Sequence, residues 1–345
     1  MPASSPNESE GLMAQHIANV GVLAVPAALL CWLLTGLYRR AMIANGRLAT
    51  PNERSMHAVP VPVGAGVAIV AVALSLWPLS QGLALQSRHI VLGVTLAGLA
   101  ALSWVDDRHS LSPAVRLAAQ VLAIAVLLAS LEPQLRAMPA LPLAVERFLL
   151  GLAWLWFVNL FNFMDGIDGL AGSEAVAVAA GYLVIATLAD LEGPLWELTL
   201  IVAAATAGYL SWNWHPARVF MGDAGSIPLG FLLGWLMIDL ALNGHWPAAV
   251  ILPLYFAADA TLTLAKRVLR GQKPWQAHRD HFYQRAVLGG AAPLGVVWRV
   301  NAANAALMAL ALISLRHPAA ALTGAAAIVA ALLIELEGLA RRRAS

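Results

Sequence analysis

Long apolar runs separated by short polar segments make up most of the chain. The runs are about 16 to 22 residues long and do not alternate between polar and apolar positions, a pattern typical of membrane helices rather than barrel strands. We therefore predict an all-α, polytopic integral membrane protein with about eleven transmembrane helices. The predicted spans are 17–38, 63–79, 89–105, 113–130, 147–162, 171–189, 195–212, 225–243, 246–265, 295–314 and 318–338.

Composition supports a membrane protein. The chain is 60% hydrophobic and 12% charged, with a mean hydropathy of +0.73, whereas soluble domains carry about a quarter charged residues. Its net charge of +2 gives no indication of nucleic-acid binding. The single cysteine, Cys31, lies in the first apolar run, which excludes an intramolecular disulfide and a multi-cysteine metal site.

We expect one transmembrane domain over residues 1–345, with a short polar N-terminal tail at 1–16. The tail has no Lys or Arg, so the first apolar run is expected to be a retained span rather than a secretory signal. Basic residues then predict the orientation, because cytoplasmic loops carry an excess of Lys and Arg. An N-terminus outside gives the inner side Arg39, Arg40, Arg47, Arg54, Arg108, Arg116, Arg218, the six basic residues of 266–285, Arg299 and Arg341 to Arg343. The outer side receives only Arg88, Arg136, Arg147 and Arg316, and the C-terminus is cytoplasmic.

The unusual polar groups all fall in the inner connections. The central one is in segment 154–174, where Asn162, Asp165 and Asp168 are spaced three apart and a glycine follows each aspartate. If the helix continues through this segment, the three side chains share one face. Because polar groups in a membrane helix are costly, they indicate a functional site.

Two further carboxylate motifs lie on the same side. Asp106 and Asp107 end the third predicted span, where adjacent carboxylates need a metal ion, a basic side chain or a shared proton. The alternative is a solvated loop in which Arg108 balances the charge. Asp223 opens the eighth span, where it could hold a metal that binds phosphate oxygens or could serve only as a helix cap. Asn213 adds a polar group to the same loop.

A basic segment, 278–285, lies within a predicted cytoplasmic loop at 266–294. His278, Arg279, His281 and Arg285 fall within it, at a density that suits phosphate binding. An ordinary positive-inside loop is the alternative. Asp259, inside an apolar run, is either a helix–helix hydrogen-bonding group or part of the site.

Carboxylates, glycine turns and basic groups on one membrane face predict a reaction class. Carboxylate and phosphate oxygens together are the usual environment of Mg²⁺ in proteins. We therefore expect phosphoryl transfer, in which positioning and charge neutralisation supply most of the catalysis.

The same motifs, taken together, resemble the polyprenyl-phosphate N-acetylhexosamine-1-phosphate transferases, which include the translocase of peptidoglycan synthesis. The matching segments follow the family's order: PNERSMHAVPVP, DDRHSLSP, NLFNFMDGIDGLAGSE, NWHPARVFMGDAGS, PLYFAADATLTLAKR and HRDHFYQR. The first begins at residue 51 and the last ends at residue 285, so they are distributed over most of the chain. The resemblance implies a helical enzyme of the plasma (inner) membrane with its site on the cytoplasmic face.

The resemblance also implies a reaction. Undecaprenyl phosphate attacks the β-phosphorus of a UDP-N-acetyl sugar, UMP leaves, and a lipid-pyrophosphate-sugar remains. Mg²⁺, or Mn²⁺ as a substitute, bridges the phosphates of the nucleotide. The implied partners are the UDP-sugar, the lipid phosphate and the bilayer, with a homodimer as a possible assembly and no nucleic acid.

Residue roles carry over by motif. Asp223 corresponds to the metal ligand, and Asp106 and Asp107 to a catalytic pair of which either could act on the lipid phosphate. The remaining roles are Asp165 as a catalytic-site support, Asn162 and Asn213 in substrate binding, Asp168 and Phe220 as uracil contacts, and His278, Arg279 and His281 on the pyrophosphate or sugar.

The sequence departs from the family pattern in four places. Ala49 replaces a usual aspartate, and segment 63–66 lacks an arginine. The chain also lacks the lysine between the third and fourth spans and the run of histidines of the peptidoglycan translocase. The last two differences favour the branch that starts O-antigen or other surface polysaccharides, with GlcNAc or a 6-deoxy-N-acetylhexosamine as donor sugar.

Three other functions fit less well. An aspartate-rich prenyltransferase needs another carboxylate one helical turn after Asp107, and residues 108–111 contain none. A transporter or flippase of nucleotide sugars or lipid-linked sugars needs polar groups at mid-membrane, where Asp259 is the main one. An inactive scaffold would not need to keep the five aspartates of the inner motifs.

Overall fold

The computed structural model describes residues 20–48, 60–191, 193–273 and 278–341. The predicted tail at 1–16 and Ala49 therefore lie outside the described residues. Within those ranges the chain forms helices and no strand, which confirms the all-α prediction.

Thirteen helices are present in the described ranges, counting the π-helical turn Val20–Ala24 as the start of the first. They are α1 Val20–Ala44, α2 Val67–Ser80, α3 Ser87–His109, α4 Pro113–Ala129, α5 Leu143–Phe163, α6 Leu170–Leu188, α7 Pro194–Asn213, α8 Asp223–Leu242, α9 Trp246–Ile251, α10 Leu254–Leu269, α11 Phe282–Leu288, α12 Pro293–Ile313 and α13 Pro318–Arg341.

Eight of these helices are long and apolar enough to cross a membrane, so the chain is a multi-pass membrane protein. Helices α2 and α4, at 14 and 17 residues, are shorter than these eight. The prediction of one continuous helix over 246–265 is wrong, because the chain breaks between α9 and α10 at Pro253. Proline lacks the N–H of a helix interior but is tolerated where a helix begins. The count of eleven crossings and the orientation of the termini stay predictions.

The central motif falls between two helices, in agreement with the predicted spans 147–162 and 171–189, so its polar side chains do not share one helix face. Helix α5 ends at Phe163 and α6 begins at Leu170, so Asp165 and Asp168 lie in a turn rather than on a helix face. Gly169 has a φ of +77°, in the left-handed region that glycine adopts readily. We call residues 164–169 the central turn.

Helix α8 is the core of the bundle, with nearly every side chain from Ala224 to Leu240 buried. It packs against α3 and α5. Trp154 of α5 stacks on Phe231 at 4.6 Å and donates its indole N–H to the Phe231 carbonyl at 2.8 Å. This packing brings the last turn of α5 to the first turn of α8.

Candidate active site

The end of α3 meets the start of α8 through Asp107. Its carboxylate oxygens accept hydrogen bonds from the backbone N–H groups of Asp223 at 3.0 Å and Ala224 at 3.1 Å. The first N–H groups of a helix have no partner within the helix. Gly222, just before α8, has a φ of +69°, and a Cβ there would lie 2.7 Å from the Asp107 carboxylate. Asp107 therefore caps α8 from another helix, and Asp223 is its first residue rather than its cap.

Arg116, near the start of α4, joins two of the predicted aspartates. Its Nη1 lies 3.1 Å from Asp106 Oδ2 and 3.0 Å from Asp223 Oδ2. The other oxygen of Asp106 accepts the backbone N–H of Leu111 at 2.6 Å. Arg108, by contrast, lies over the ring of Trp104 at 3.4 Å. The positive charge that pairs with Asp106 therefore comes from Arg116.

Asn162, in the last turn of α5, completes this group. Its Nδ2 donates to Asp223 Oδ1 at 2.8 Å and to Ser226 Oγ at 2.7 Å. Ser226 in turn donates to the Gly222 carbonyl at 3.0 Å. The Asp223 carboxylate is thus fixed by one partner on each oxygen, Asn162 and Arg116.

Asp165 lies in the central turn close to the same carboxylates. Burial raises the pKa of Asp165 to about 7, and the negative charges of Asp223, Asp107 and Asp168 add to the increase. Each of these charges disfavours ionisation of a nearby carboxyl. A cation entering this region would reverse that effect.

Asp168 and Asn213 fasten the central turn to the loop between α7 and α8. Asp168 Oδ2 accepts the backbone N–H of Ala217 at 3.0 Å and lies 2.8 Å from His215 Nδ1. Asn213, which is buried, accepts the Gly169 N–H at 3.0 Å and donates to the Val219 carbonyl at 3.0 Å. Asn213 is therefore held inside the protein as a tie between the two segments.

Phe220 lies at the edge of that loop and is half-buried. Its backbone N–H donates to the Pro62 carbonyl at 2.8 Å, and its carbonyl accepts from Ala65 at 3.1 Å. Segment 63–66, which departs from the family pattern, thus runs directly beside Phe220. Tyr38 of α1 donates to the Val63 carbonyl at 2.7 Å and fixes this segment from the other side.

The basic segment is organised by Asp259, a fully buried residue of α10. Its carboxylate lies within 3.1 to 3.3 Å of five groups: the hydroxyls of Tyr255 and Thr263, His281 Nδ1, and the backbone N–H groups of Phe282 and Tyr283. Asp259 is therefore a hydrogen-bonding group that joins α10 to the start of α11. It caps α11 and orients His281, which is itself buried.

The other members of the basic segment lie close by. His278 is half-buried, and its ring centroid lies 5.0 Å from that of His281. Burial lowers the pKa of His278 to about 4, and the electrostatic effect of two neighbours, His281 and the Arg267 guanidinium, acts in the same direction. Arg279 is also half-buried. Arg285 of α11 donates to both carboxylate oxygens of Glu337 in α13, at 2.6 and 2.9 Å.

Tyr283 joins the basic segment to the central turn. Its hydroxyl donates to the Phe163 carbonyl at 3.3 Å, and any side chain at position 166 would collide with it. Gly166 is therefore required for the close approach of these two segments. The histidines consequently lie on the same end of the bundle as the aspartates.

The structure thus joins Asp106, Asp107, Asn162 and Asp223 by direct contacts, with Asp165 beside them. The sequence alone did not mark Arg116, Ser226 and Tyr283 as members of this arrangement. Arg116 looks like any other basic residue of an inner loop, and only its three-residue spacing from Pro113 places it on the first turn of a helix. Tyr283 lay within the recognised segment but had no distinguishing feature.

The carboxylates of this site suit a cation that is bound partly by protein and partly by a substrate, rather than one bound by protein side chains alone. In the ranges the structure describes, no three or more His, Cys, Asp or Glu side chains are placed to hold a metal ion. Mg²⁺ usually binds one or two carboxylates and completes its shell with phosphate oxygens and water. Asp223 and Asp106, whose Oδ2 atoms share one neighbour, supply carboxylates of that kind.

Comparison with known proteins identifies relatives over most of the chain. The model of glycosyl transferase family 4 matches residues 89–241. A Streptomyces coelicolor protein named as a glycosyltransferase is 33% identical over 304 residues, covering 81% of this chain and 69% of that protein. A Bacillus subtilis protein named as an undecaprenyl-phosphate N-acetylglucosaminyl 1-phosphate transferase is 27% identical over 290 residues, covering 81% and 80%. A Mycolicibacterium smegmatis decaprenyl-phosphate N-acetylglucosaminephosphotransferase is 28% identical over 312 residues, covering 80% and 76%. The chain therefore belongs to the polyprenyl-phosphate N-acetylhexosamine-1-phosphate transferase family.

Proposed function

We propose that this protein transfers an N-acetylhexosamine 1-phosphate from a UDP-sugar to undecaprenyl phosphate, with release of UMP. The reaction takes place at the cytoplasmic face of the plasma membrane. Relatives named for transfer of this kind to undecaprenyl or decaprenyl phosphate support the proposal. The observation that carries it is the meeting of Asp106, Arg116 and Asp223 at the first turn of α8.

This meeting point has the charges that a pyrophosphate donor requires. Carboxylates supply ligands for a divalent cation, and a guanidinium binds phosphate oxygens through paired N–H groups. Mg²⁺, or Mn²⁺ in its place, would be held by Asp223 with Asp106 nearby, and when bound it would neutralise charge on the phosphates. Asn162 orients the Asp223 carboxylate toward that position through its hydrogen bond to Oδ1.

Asp106 and Asp107 act in this proposal by positioning their neighbours. A lipid phosphate has a second pKa of about 6 and is largely ionised at neutral pH, so it needs no strong base to become a nucleophile. Both carboxylates already accept backbone hydrogen bonds, Asp106 from Leu111 and Asp107 at the start of α8. Asp106 then holds Arg116, and Asp107 holds the helix that carries Asp223.

The remaining predicted residues surround this point. We assign Phe220 and Asp168 to the uracil, and Asn213 to holding the loop that presents them. His278, Arg279 and His281 lie across the central turn and are assigned to the pyrophosphate or the sugar. Asp165 supports the metal site, where a bound cation would favour its ionised form.

We propose GlcNAc as the donor sugar, because the named relatives transfer N-acetylglucosamine 1-phosphate. The product would start O-antigen or another cell-surface polysaccharide. Segment 63–66 lies against Phe220, so its departure from the family pattern would alter the nucleotide end of the donor site.

The test is UMP release by the purified, detergent-solubilised protein. Undecaprenyl phosphate and Mg²⁺ are supplied with a panel of UDP-N-acetylhexosamines that includes 6-deoxy forms, and the lipid product is identified by mass spectrometry. We expect UMP and lipid-pyrophosphate-GlcNAc in equal amounts, no UMP without the lipid, and loss of both on chelation with recovery on adding Mg²⁺ or Mn²⁺. A folded protein that releases no UMP from any donor would contradict the proposal, and a transporter would give that result.

A further inference from the structure

Arg116 places one guanidinium nitrogen between carboxylates of two helices. Nη1 lies 3.0 Å from Asp223 Oδ2 and 3.1 Å from Asp106 Oδ2. The other oxygen of each carboxylate has its own donor, Asn162 for Asp223 and Leu111 for Asp106. Both carboxylates therefore turn their second oxygen to the same cation.

A divalent cation shared by Asp106 and Asp223 would lie at the two Oδ2 atoms that Arg116 contacts. Mg²⁺ binds carboxylate oxygens at about 2.0–2.1 Å. It would therefore lie closer to Asp223 Oδ2 than Arg116 Nη1 does, at 3.0 Å. Two positive groups on one oxygen repel each other, and the repulsion is strong where water is partly excluded. The Asp106 carboxylate is almost fully buried, so screening by water is weak on that side of the pair.

We propose that Arg116 is a built-in competitor of the divalent cation at Asp223. Its guanidinium holds Asp106 and Asp223 in place until the cation binds, and then leaves Asp223 Oδ2 for the phosphate oxygens of the donor. About a third of the Arg116 side chain is exposed, which gives it freedom to move. The planar guanidinium suits paired hydrogen bonds to phosphate. The inference rests on the proposed metal-binding role of Asp223.

If Arg116 competes with the cation in this way, removing it should have opposite effects on the binding of the divalent cation and of the UDP-sugar. Loss of Arg116 frees Asp223 Oδ2 and removes a positive charge, so a divalent cation should bind the substrate-free protein more tightly. The same loss removes a phosphate-binding group, so the UDP-sugar should bind more weakly once the cation is present. A residue that only supports the fold would weaken both.

The experiment measures Mn²⁺ affinity by electron paramagnetic resonance on the full-length, detergent-solubilised protein without substrates. Arg116→Gln should bind Mn²⁺ about tenfold more tightly than wild type, a coupling of ordinary size between two sites. The control is Arg218→Gln, which removes an exposed arginine that lies 6.0 Å from the Trp212 ring and should leave Mn²⁺ affinity unchanged. Calorimetry with UDP-GlcNAc at saturating Mn²⁺ should then give weaker donor binding for Arg116→Gln alone.

An Arg116→Gln protein that binds Mn²⁺ as wild type does, or more weakly, overturns the inference. The inference is also overturned if neither wild type nor Arg116→Gln binds Mn²⁺. The proposed function is tested separately, by UMP release from the wild-type protein. If the glutamine variant does not fold, Arg116→Lys replaces it. Lysine keeps the charge but lacks the guanidinium fork, so a smaller tightening is expected, and wild-type affinity in that folded variant would equally overturn the inference.

Discussion

Asp107 and Asp223 are joined side chain to backbone: the Asp107 carboxylate accepts the N–H of Asp223 at 3.0 Å and also that of Ala224. The proposed metal ligand is therefore positioned by a residue of another helix. The contact joins the end of α3 to an aspartate that lies more than a hundred residues later in the chain.

Variants of Asp107 test whether this residue acts as a helix cap or as a catalytic base. Asp107→Ala removes both acceptors at the start of α8 and should cost about 1 kcal/mol of stability, the usual value for a lost helix cap. Asp107→Asn keeps one acceptor oxygen, so it should retain more of the thermal stability and more of the turnover. The measurements are the apparent Tm in detergent and kcat/KM for UMP release. Equal loss of activity in both variants at unchanged Tm would instead mean that the Asp107 carboxylate acts directly as a base.

Because of Asp165, we expect the stability of the folded protein to depend on pH. Its pKa of about 7 in the folded protein exceeds the ordinary value near 4, so ionising it costs stability as pH rises through that interval. Asp165→Asn removes this cost and should raise the apparent Tm of the substrate-free protein more at pH 8 than at pH 5.5, while UMP release falls.

The matched control for that experiment is Asp168→Asn. Asp168 accepts the Ala217 N–H and pairs with His215, so its replacement should not raise the Tm. An Asp165→Asn gain that is the same at both pH values would show that charge is not the cause.

Helix α13 offers a test of how the basic segment is held. Glu337 accepts two hydrogen bonds from Arg285 of α11. Glu335, on the same helix, accepts a hydrogen bond from Arg299 of α12 instead. Glu337→Gln should loosen α11 and raise the KM for the UDP-sugar several-fold, because the preceding histidines lose their fixed position. Glu335→Gln, on the same helix, should leave KM unchanged. Identical KM values in the two variants would show that the Arg285–Glu337 ion pair does not affect substrate binding.

Cysteine labelling tests the predicted orientation. Cys31 is buried, so a single exposed cysteine can report on one side of the membrane. A membrane-impermeant maleimide should label Lys273→Cys, beyond the end of α10, only from the cytoplasmic side. It should label Gln86→Cys, just before α3, only from outside. The reverse pattern would invert the topology and move the proposed site to the other face.

Local sequence predicted helices well, because a run of apolar residues must satisfy its own backbone hydrogen bonds in a membrane. The break at Pro253 was missed because the residues on both sides of it are equally apolar. The gap between the predicted spans 147–162 and 171–189 matches the turn after Phe163, but the packing of that turn could not be predicted, because it depends on Tyr283, a residue far along the chain that packs against Gly166.

The residue types of the candidate site were predictable, since carboxylates and amides in an apolar chain are conspicuous. Their partners were not. Arg116 is one arginine among many, and its contacts to Asp106 and Asp223 arise only when α3, α4 and α8 pack together. For Asp259, a carboxylate within an apolar run fits both a helix contact and a site residue, and its five hydrogen-bonding neighbours come from folded segments that the sequence does not bring together.

The most direct test of the account compares two aspartates of one helix. Asp223 begins α8 beside Arg116 and Asn162, whereas Asp239 lies near its other end and accepts a hydrogen bond from Tyr182 at 2.8 Å. Lipid-dependent UMP release from UDP-GlcNAc is measured for wild type, Asp223→Asn and Asp239→Asn, each shown to be folded by its apparent Tm. We expect a loss of turnover of at least about a hundredfold in Asp223→Asn alone, roughly the cost of removing one charge-stabilising group from a catalytic site. Wild-type turnover in Asp223→Asn would contradict it.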